Sequence, residues 1–123
     1  RKFILTNAPR AYAERVLAVL GIRRCFEALI SIEDMHVFGQ LRPKPDARML
    51  RTLLAPLRVP ASRCVLVEDT LQHQKAARRV GMKTVWMQRW TRAAAKPGVR
   101  HSMQPRYVDL KARQLRTLLR RRF

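Results

Sequence analysis

The sequence predicts an α/β layer structure with a parallel sheet, and three observations lead there. Short apolar runs of strand length alternate with amphipathic runs at helical spacing, the order that builds parallel strands through helical crossovers. Glycine or proline marks many of the junctions between them. The 123 residues are 47% hydrophobic, enough to bury the core of one domain.

Taken in order, Phe3-Ile4-Leu5 reads as a buried strand ending at Thr6-Asn7. Pro9 suits the first turn of a helix, where its missing N–H costs nothing. Ala13, Val16, Leu17 and Leu20 follow at helical spacing, and Gly21 stops the helix. Leu29-Ile30-Ser31-Ile32 predicts a second strand, and a loop through Gly39 leads to Arg42-Pro43-Lys44-Pro45. Asp46 caps the next helix, with Leu50, Leu53, Leu54 and Leu57 as its apolar stripe and Pro56 ending it near Ala55. Cys64-Val65-Leu66-Val67 is the clearest strand and breaks at Glu68-Asp69-Thr70; a helix over 71–80 stops at Gly81, and Thr84-Val85-Trp86-Met87 is a further strand. Residues 88–106 read as a linker. Tyr107-Val108 is expected to be a short edge strand, and 110–119 a final basic helix docked through Leu115, Leu118 and Leu119.

Composition removes several functions. No apolar run is long enough to cross a bilayer, and the polar opening excludes a signal peptide in these residues, so no membrane association is expected. Cys25 and Cys64 lie far apart outside any C-x-x-C pattern, which predicts buried or partly buried thiols in a reduced, cytoplasmic setting. His36, His73 and His101 lack zinc-ligand spacing. The 27 Lys and Arg against 8 Asp and Glu give a net charge of +19, a field that attracts anions.

Three constellations carry chemistry. Thr6-Asn7 stands at the carboxyl end of a strand and before a helix, where a phosphate can use the Thr6 hydroxyl and helix N-terminal amides; the same pair also serves as an ordinary cap. Lys44 is held between two prolines that restrict its backbone, presenting an ammonium suited to phosphoryl oxygens. Glu68 and Asp69 end an apolar strand side by side. Adjacent carboxylates there repel unless donors or a cation lie between them, and oxygen-only ligation suits Mg2+.

In order and spacing, with Lys44 some 38 residues after Thr6 and Glu68 another 24 on, these motifs resemble the haloacid dehalogenase superfamily. The runs Phe3–Ala8, Lys44-Pro45, Val67–Thr70 and Gly81–Trp86 look like its pyrimidine 5′-nucleotidase-like branch. The resemblance implies an incomplete Rossmann-like three-layer core with a mostly parallel sheet. It implies a Mg2+-dependent phosphohydrolase of phosphate monoesters, with nucleoside 5′-monophosphates as expected substrates. Thr6 would bond the transferring phosphoryl group, Asn7 would shape that loop, Lys44 would neutralise phosphoryl charge, and Asp69 with Glu68 would hold the metal. The acidic pair favours phosphate chemistry over dehalogenation.

The family's nucleophile stands in a D-x-D motif, and residues 1–123 contain none. The chain, which opens at a strand-like run without methionine, is therefore expected to be a carboxy-terminal portion lacking the nucleophile, the substrate-selecting cap and the central strand. About four buried aliphatic side chains on such a strand would contribute roughly 6–12 kcal/mol. A whole domain's stability is about 5–15 kcal/mol, so residues 1–123 alone should be inactive and marginally stable. Two rivals remain: a nucleic-acid-binding module built on the basic run 110–122, and a non-catalytic remnant acting through protein contacts.

Overall fold

The structure, a computed structural model, describes residues 1–89 and 104–120. The chain forms two compact units, Arg1–Thr52 and Leu53–Phe123.

In the first unit, strand β1 (Phe3–Leu5) pairs in parallel with β2 (Ala28–Ile30), Ile4 opposite Leu29, and helix α1 (Arg10–Val19) joins them. Ala13, Leu17 and Leu29 pack with Ile4 and Phe26 to form its apolar centre. All three β1 residues are half-buried rather than buried, since β2 is the strand's one ladder partner among the described residues. The second predicted strand ends at Ile30, before Ser31. The fully buried Ser31 instead opens a 3-10 turn (Ile32–Asp34), its N–H and hydroxyl both donating to Asp34 Oδ2 at 2.8 and 2.9 Å. That local exchange outcompetes strand continuation.

The expected loop through Gly39 contains a small hairpin. Strands β3 (His36–Val37) and β4 (Gln40–Leu41) are antiparallel, and Phe38 and Gly39 turn between them at φ of 51° and 75°. Positive φ at both central residues matches the right-handed strand twist. Asp46 does cap α2 (Ala47–Leu54): its Oδ1 accepts from the N–H groups of Arg48 and Met49 at 2.6 and 3.1 Å. A 3-10 turn over Ala55–Leu57 follows at Pro56.

The second unit holds a three-stranded parallel sheet in the order β5 (Val65–Glu68), β6 (Lys83–Met87), β7 (Leu110–Ala112). Helix α3 (Leu71–Val80) crosses from β5 to β6, and Gly81 closes it at φ +93°, a conformation that costs glycine little. Val85, Trp86, Ala76, Ala77, Met82, Val108 and Ala112 are buried.

The carboxy-terminal expectations are corrected here. Tyr107-Val108 lies in a turn and the strand comes later, at Leu110–Ala112, where the final helix was expected to begin. Pairing of Lys111 with Trp86 and burial of Ala112 favour extension over the helical propensity of these residues. A 3-10 segment (Leu115–Arg120) follows, with Leu115 and Leu119 at 64% and 88% exposure and Leu118 half-buried, so the three leucines do not dock together. At three residues per turn Leu115 and Leu118 share a face but Leu119 falls off it, so the three no longer form one stripe. Most of the expected linker, residues 90–103, lies outside the described residues, as do 121–123. Cys25 is exposed, contrary to expectation, and Cys64 half-buried; both are free thiols. No helix of the described residues is long and apolar enough to cross a membrane.

Candidate active site

The five predicted site residues fall into two sets, one in each unit. In the first, the chain leaves β1 at Leu5, and the next two residues meet the Lys44 loop. Asn7 clamps the Lys44 backbone twice: its Nδ2 donates to the Lys44 carbonyl at 3.1 Å, and its Oδ1 accepts the Lys44 N–H at 3.0 Å. Lys44 Nζ in turn donates to the Leu5 carbonyl at 3.1 Å. The ammonium is thereby brought to the carboxyl end of β1, beside Thr6. The Lys44–Pro45 peptide is cis. Thr6 donates its N–H to the Ile30 carbonyl and accepts the Ala8 N–H on its hydroxyl oxygen at 3.1 Å, which leaves the hydroxyl hydrogen for another acceptor. Asn7 thus does more than shape a loop; it is what holds the lysine.

In the second unit, β5 ends in the acidic pair. Glu68 Oε1 accepts the N–H groups of Asp69 and Thr70 at 3.0 and 3.3 Å, and its Oε2 lies 3.1 Å from His73 Nδ1, off the line of a hydrogen bond. Glu68 is therefore engaged in turning the chain. Asp69 Oδ1 accepts the Thr70 hydroxyl at 3.2 Å. Hydrogen bonding with Glu68, then burial, then the Glu68 charge push the Asp69 carboxyl above its usual range.

Three residues that the sequence did not single out fix this turn. Gln74, fully buried on α3, donates through Nε2 to the Glu68 and Val85 carbonyls, both at 2.7 Å. Trp86 donates its indole N–H to the Asp69 carbonyl at 2.8 Å. His73 fills the space beside Glu68.

A cleft of about 740 Å³ opens at the carboxyl ends of β5, β6 and β7, where open α/β sheets bind ligands. Glu68 and Asp69 line it together with Arg89, Arg113 and Arg116. The arginines went unrecognised because Arg89 fell in the expected linker and 113–116 was read as helix; once β7 is known, Arg113 is the residue directly after a parallel strand. No group of three or more His, Cys, Asp or Glu among the described residues is placed to hold a metal. Two carboxylates nevertheless fit Mg2+, which commonly takes one or two from protein and the rest from water and substrate phosphate. Hydrogen bonding with Glu68 and burial do most to raise the Asp69 carboxyl, and the Glu68 charge adds a repulsion that a divalent cation would relieve.

Parallel strands, crossover helices and polar groups at strand carboxyl ends define an α/β fold of the ligand-handling kind. The profile of haloacid dehalogenase-like hydrolases matches residues 1–81, and the chain belongs to that family. No curated protein matches it. Among solved structures it is similar to a HAD phosphatase from Thermococcus onnurineus, at 24% identity and a TM-score of 0.69 over 94% of this chain and 47% of that one. It is also similar to the HAD-hydrolase YfnB from Bacillus subtilis, bound to magnesium, at 20% identity and TM-score 0.71 over 94% and 46%. CbbY from Rhodobacter sphaeroides, in complex with phosphate, aligns at 23% identity and TM-score 0.64 over 91% and 45%. At these identities the likeness shows the fold. The chain spans just under half the length of each of these structures.

Proposed function

We propose that the chain supplies the phosphate- and magnesium-handling residues of a phosphohydrolase acting on phosphate monoesters, with nucleoside 5′-monophosphates as the substrate class and the nucleophile contributed from outside these residues. The observation that carries the reading is the Asn7–Lys44–Leu5 linkage, which fixes an ammonium at the end of β1 beside a hydroxyl able to donate. Stabilisation of phosphoryl transfer comes from such prepositioned donors, because charge on the equatorial oxygens must be met without reorganisation.

In this reading Thr6 donates its hydroxyl hydrogen to a phosphoryl oxygen. Lys44 neutralises charge as the phosphoryl group transfers. Asp69 would hold Mg2+ with Glu68 beside it, while Glu68 keeps the turn closed through the Asp69 and Thr70 N–H groups. Bound there, Mg2+ would act as a Lewis acid on a phosphoryl oxygen. The nucleotide preference follows from the likeness of the motif runs to the pyrimidine 5′-nucleotidase-like branch.

The test is phosphate release from nucleoside 5′-monophosphates by the full-length protein. Turnover should require Mg2+ and should be abolished by Asp69→Asn, which keeps the residue's size and removes its charge. Undiminished wild-type turnover in excess chelator would overturn the metal assignment.

A further inference from the structure

The cleft beside the acidic pair has room for more than one phosphate. Three guanidiniums and two carboxylates line it, and Met87 adds apolar surface. The volume of about 740 Å³ falls within the 300–1,000 Å³ typical of small-ligand sites, well beyond the needs of a lone phosphate. Arginine's planar fork matches phosphate and carboxylate oxygens in a bidentate manner. Arg113, directly after β7, and Arg116, in the 3-10 segment that follows, are both exposed.

We propose that Arg89, Arg113 and Arg116 bind a second anionic group on the substrate, so that the ligand is a phosphate ester bearing a further phosphate or carboxylate. The inference rests on the reading of Glu68 and Asp69 as the phosphate-and-metal end of the same cleft. Within the proposed nucleotide class it selects nucleotides with an additional phosphate over plain monophosphates.

The test uses three non-hydrolysable probes on the full-length protein: propylphosphonate, with one anionic group; 1,3-propanediphosphonate, with a second phosphonate; and 3-phosphonopropionate, with a carboxylate instead. Kd is measured calorimetrically, with Mg2+ and again in excess chelator. One of the doubly anionic probes should bind about tenfold or more tightly than propylphosphonate, as expected for charge-assisted guanidinium bonds. Which of the two it is identifies the second group. Arg113→Gln/Arg116→Gln should reduce the preference to within about twofold, leaving propylphosphonate binding unchanged. If the double variant fails to fold, the two single variants, each at an exposed side chain, should each lose part of the preference.

Absence of any preference, or its persistence in the variants, overturns the proposal. Persistence would assign it to the diffuse field of a +19 chain. The chelator arm separates this inference from the catalytic reading: a preference lost with the arginines in a protein without Mg2+-dependent turnover supports the cleft and overturns only the enzyme.

Discussion

Gln74 is the test of how the acidic turn is held. Its amide nitrogen bridges the Glu68 carbonyl at the end of β5 and the Val85 carbonyl in the middle of β6, with both acceptors at 2.7 Å and the side chain fully buried. Gln74→Leu keeps much of the volume and removes both bonds. Two carbonyls then lose a partner, at about 1–3 kcal/mol for each buried group left unsatisfied. Against this, Gln74 Oε1 is itself buried without a hydrogen-bond partner, and removing it returns a desolvation cost of about the same size. The net loss expected for Gln74→Leu is therefore about 1–3 kcal/mol. With a urea m-value of about 1–3 kcal/mol/M, a 2 kcal/mol loss moves the midpoint by about 1 M at an m-value of 2.

Gln74→Glu should be worse at neutral pH, since an ionised carboxylate would face two carbonyl oxygens. Burial raises such a carboxyl in the folded state above its unfolded value. The folded state then holds more protons between the two values, so stability relative to wild type falls as pH rises through that window. The assay is urea unfolding of wild type and both variants at pH 4 and pH 7. A Gln74→Leu midpoint equal to wild type, or a Gln74→Glu deficit that does not grow with pH, would refute the bridge.

Two further predictions concern the first unit. Asp46→Ala should cost about 1 kcal/mol by removing the α2 cap. Burial acts upward on the Asp46 carboxyl, but the Met49 N–H, the Arg42 guanidinium and the Arg48 N–H outweigh it and hold the carboxyl below its usual range. A lowered folded value stabilises above the unfolded value and is lost as pH falls through the folded one. The difference between wild type and variant should thus be level at neutral pH and shrink below about pH 4; a constant difference down to pH 2 would count against the assignment. Asn7→Ala removes both bonds to the Lys44 backbone and should lower kcat for phosphate release about tenfold by loosening the ammonium. Unchanged kcat would mean that Lys44 needs no clamp.

What the sequence disclosed followed from how local each signal is. Asp46, Gly81 and the run Val65–Val67 announce cap, stop and strand through interactions within a few residues, and all three stand as expected. The hairpin at Phe38-Gly39 lacks the usual Asn-Gly or Asp-Gly signature, so its positive φ values had no advertisement. β7 was hidden because Leu110-Lys111-Ala112 has good helix formers, and its strand character comes from a partner, Val85–Met87, some 25 residues earlier. Asp109 helps hold that pairing, accepting the Thr84 N–H at 2.8 Å while Arg78 binds its carboxylate.

The same logic separates the parts of the candidate site. Thr6, Lys44, Glu68 and Asp69 were legible because residue type and strand-end position together point to phosphate and cation chemistry. Asn7 could be named but not given its work, because its partner lies 37 residues away in sequence. Gln74 was illegible for a different reason. In Gln72-His73-Gln74-Lys75 every residue reads as solvent-facing, and only the sheet beneath turns the third inward to meet two carbonyls. The arginines of the cleft combine both difficulties: Arg89 fell in the expected linker, Arg113 and Arg116 read as part of a basic helix, and all three gain meaning only once β7 sets the register. A side chain whose purpose is to answer another's backbone or charge across the sheet leaves no local mark, and the three arginines of the proposed second-anion cleft are of that kind.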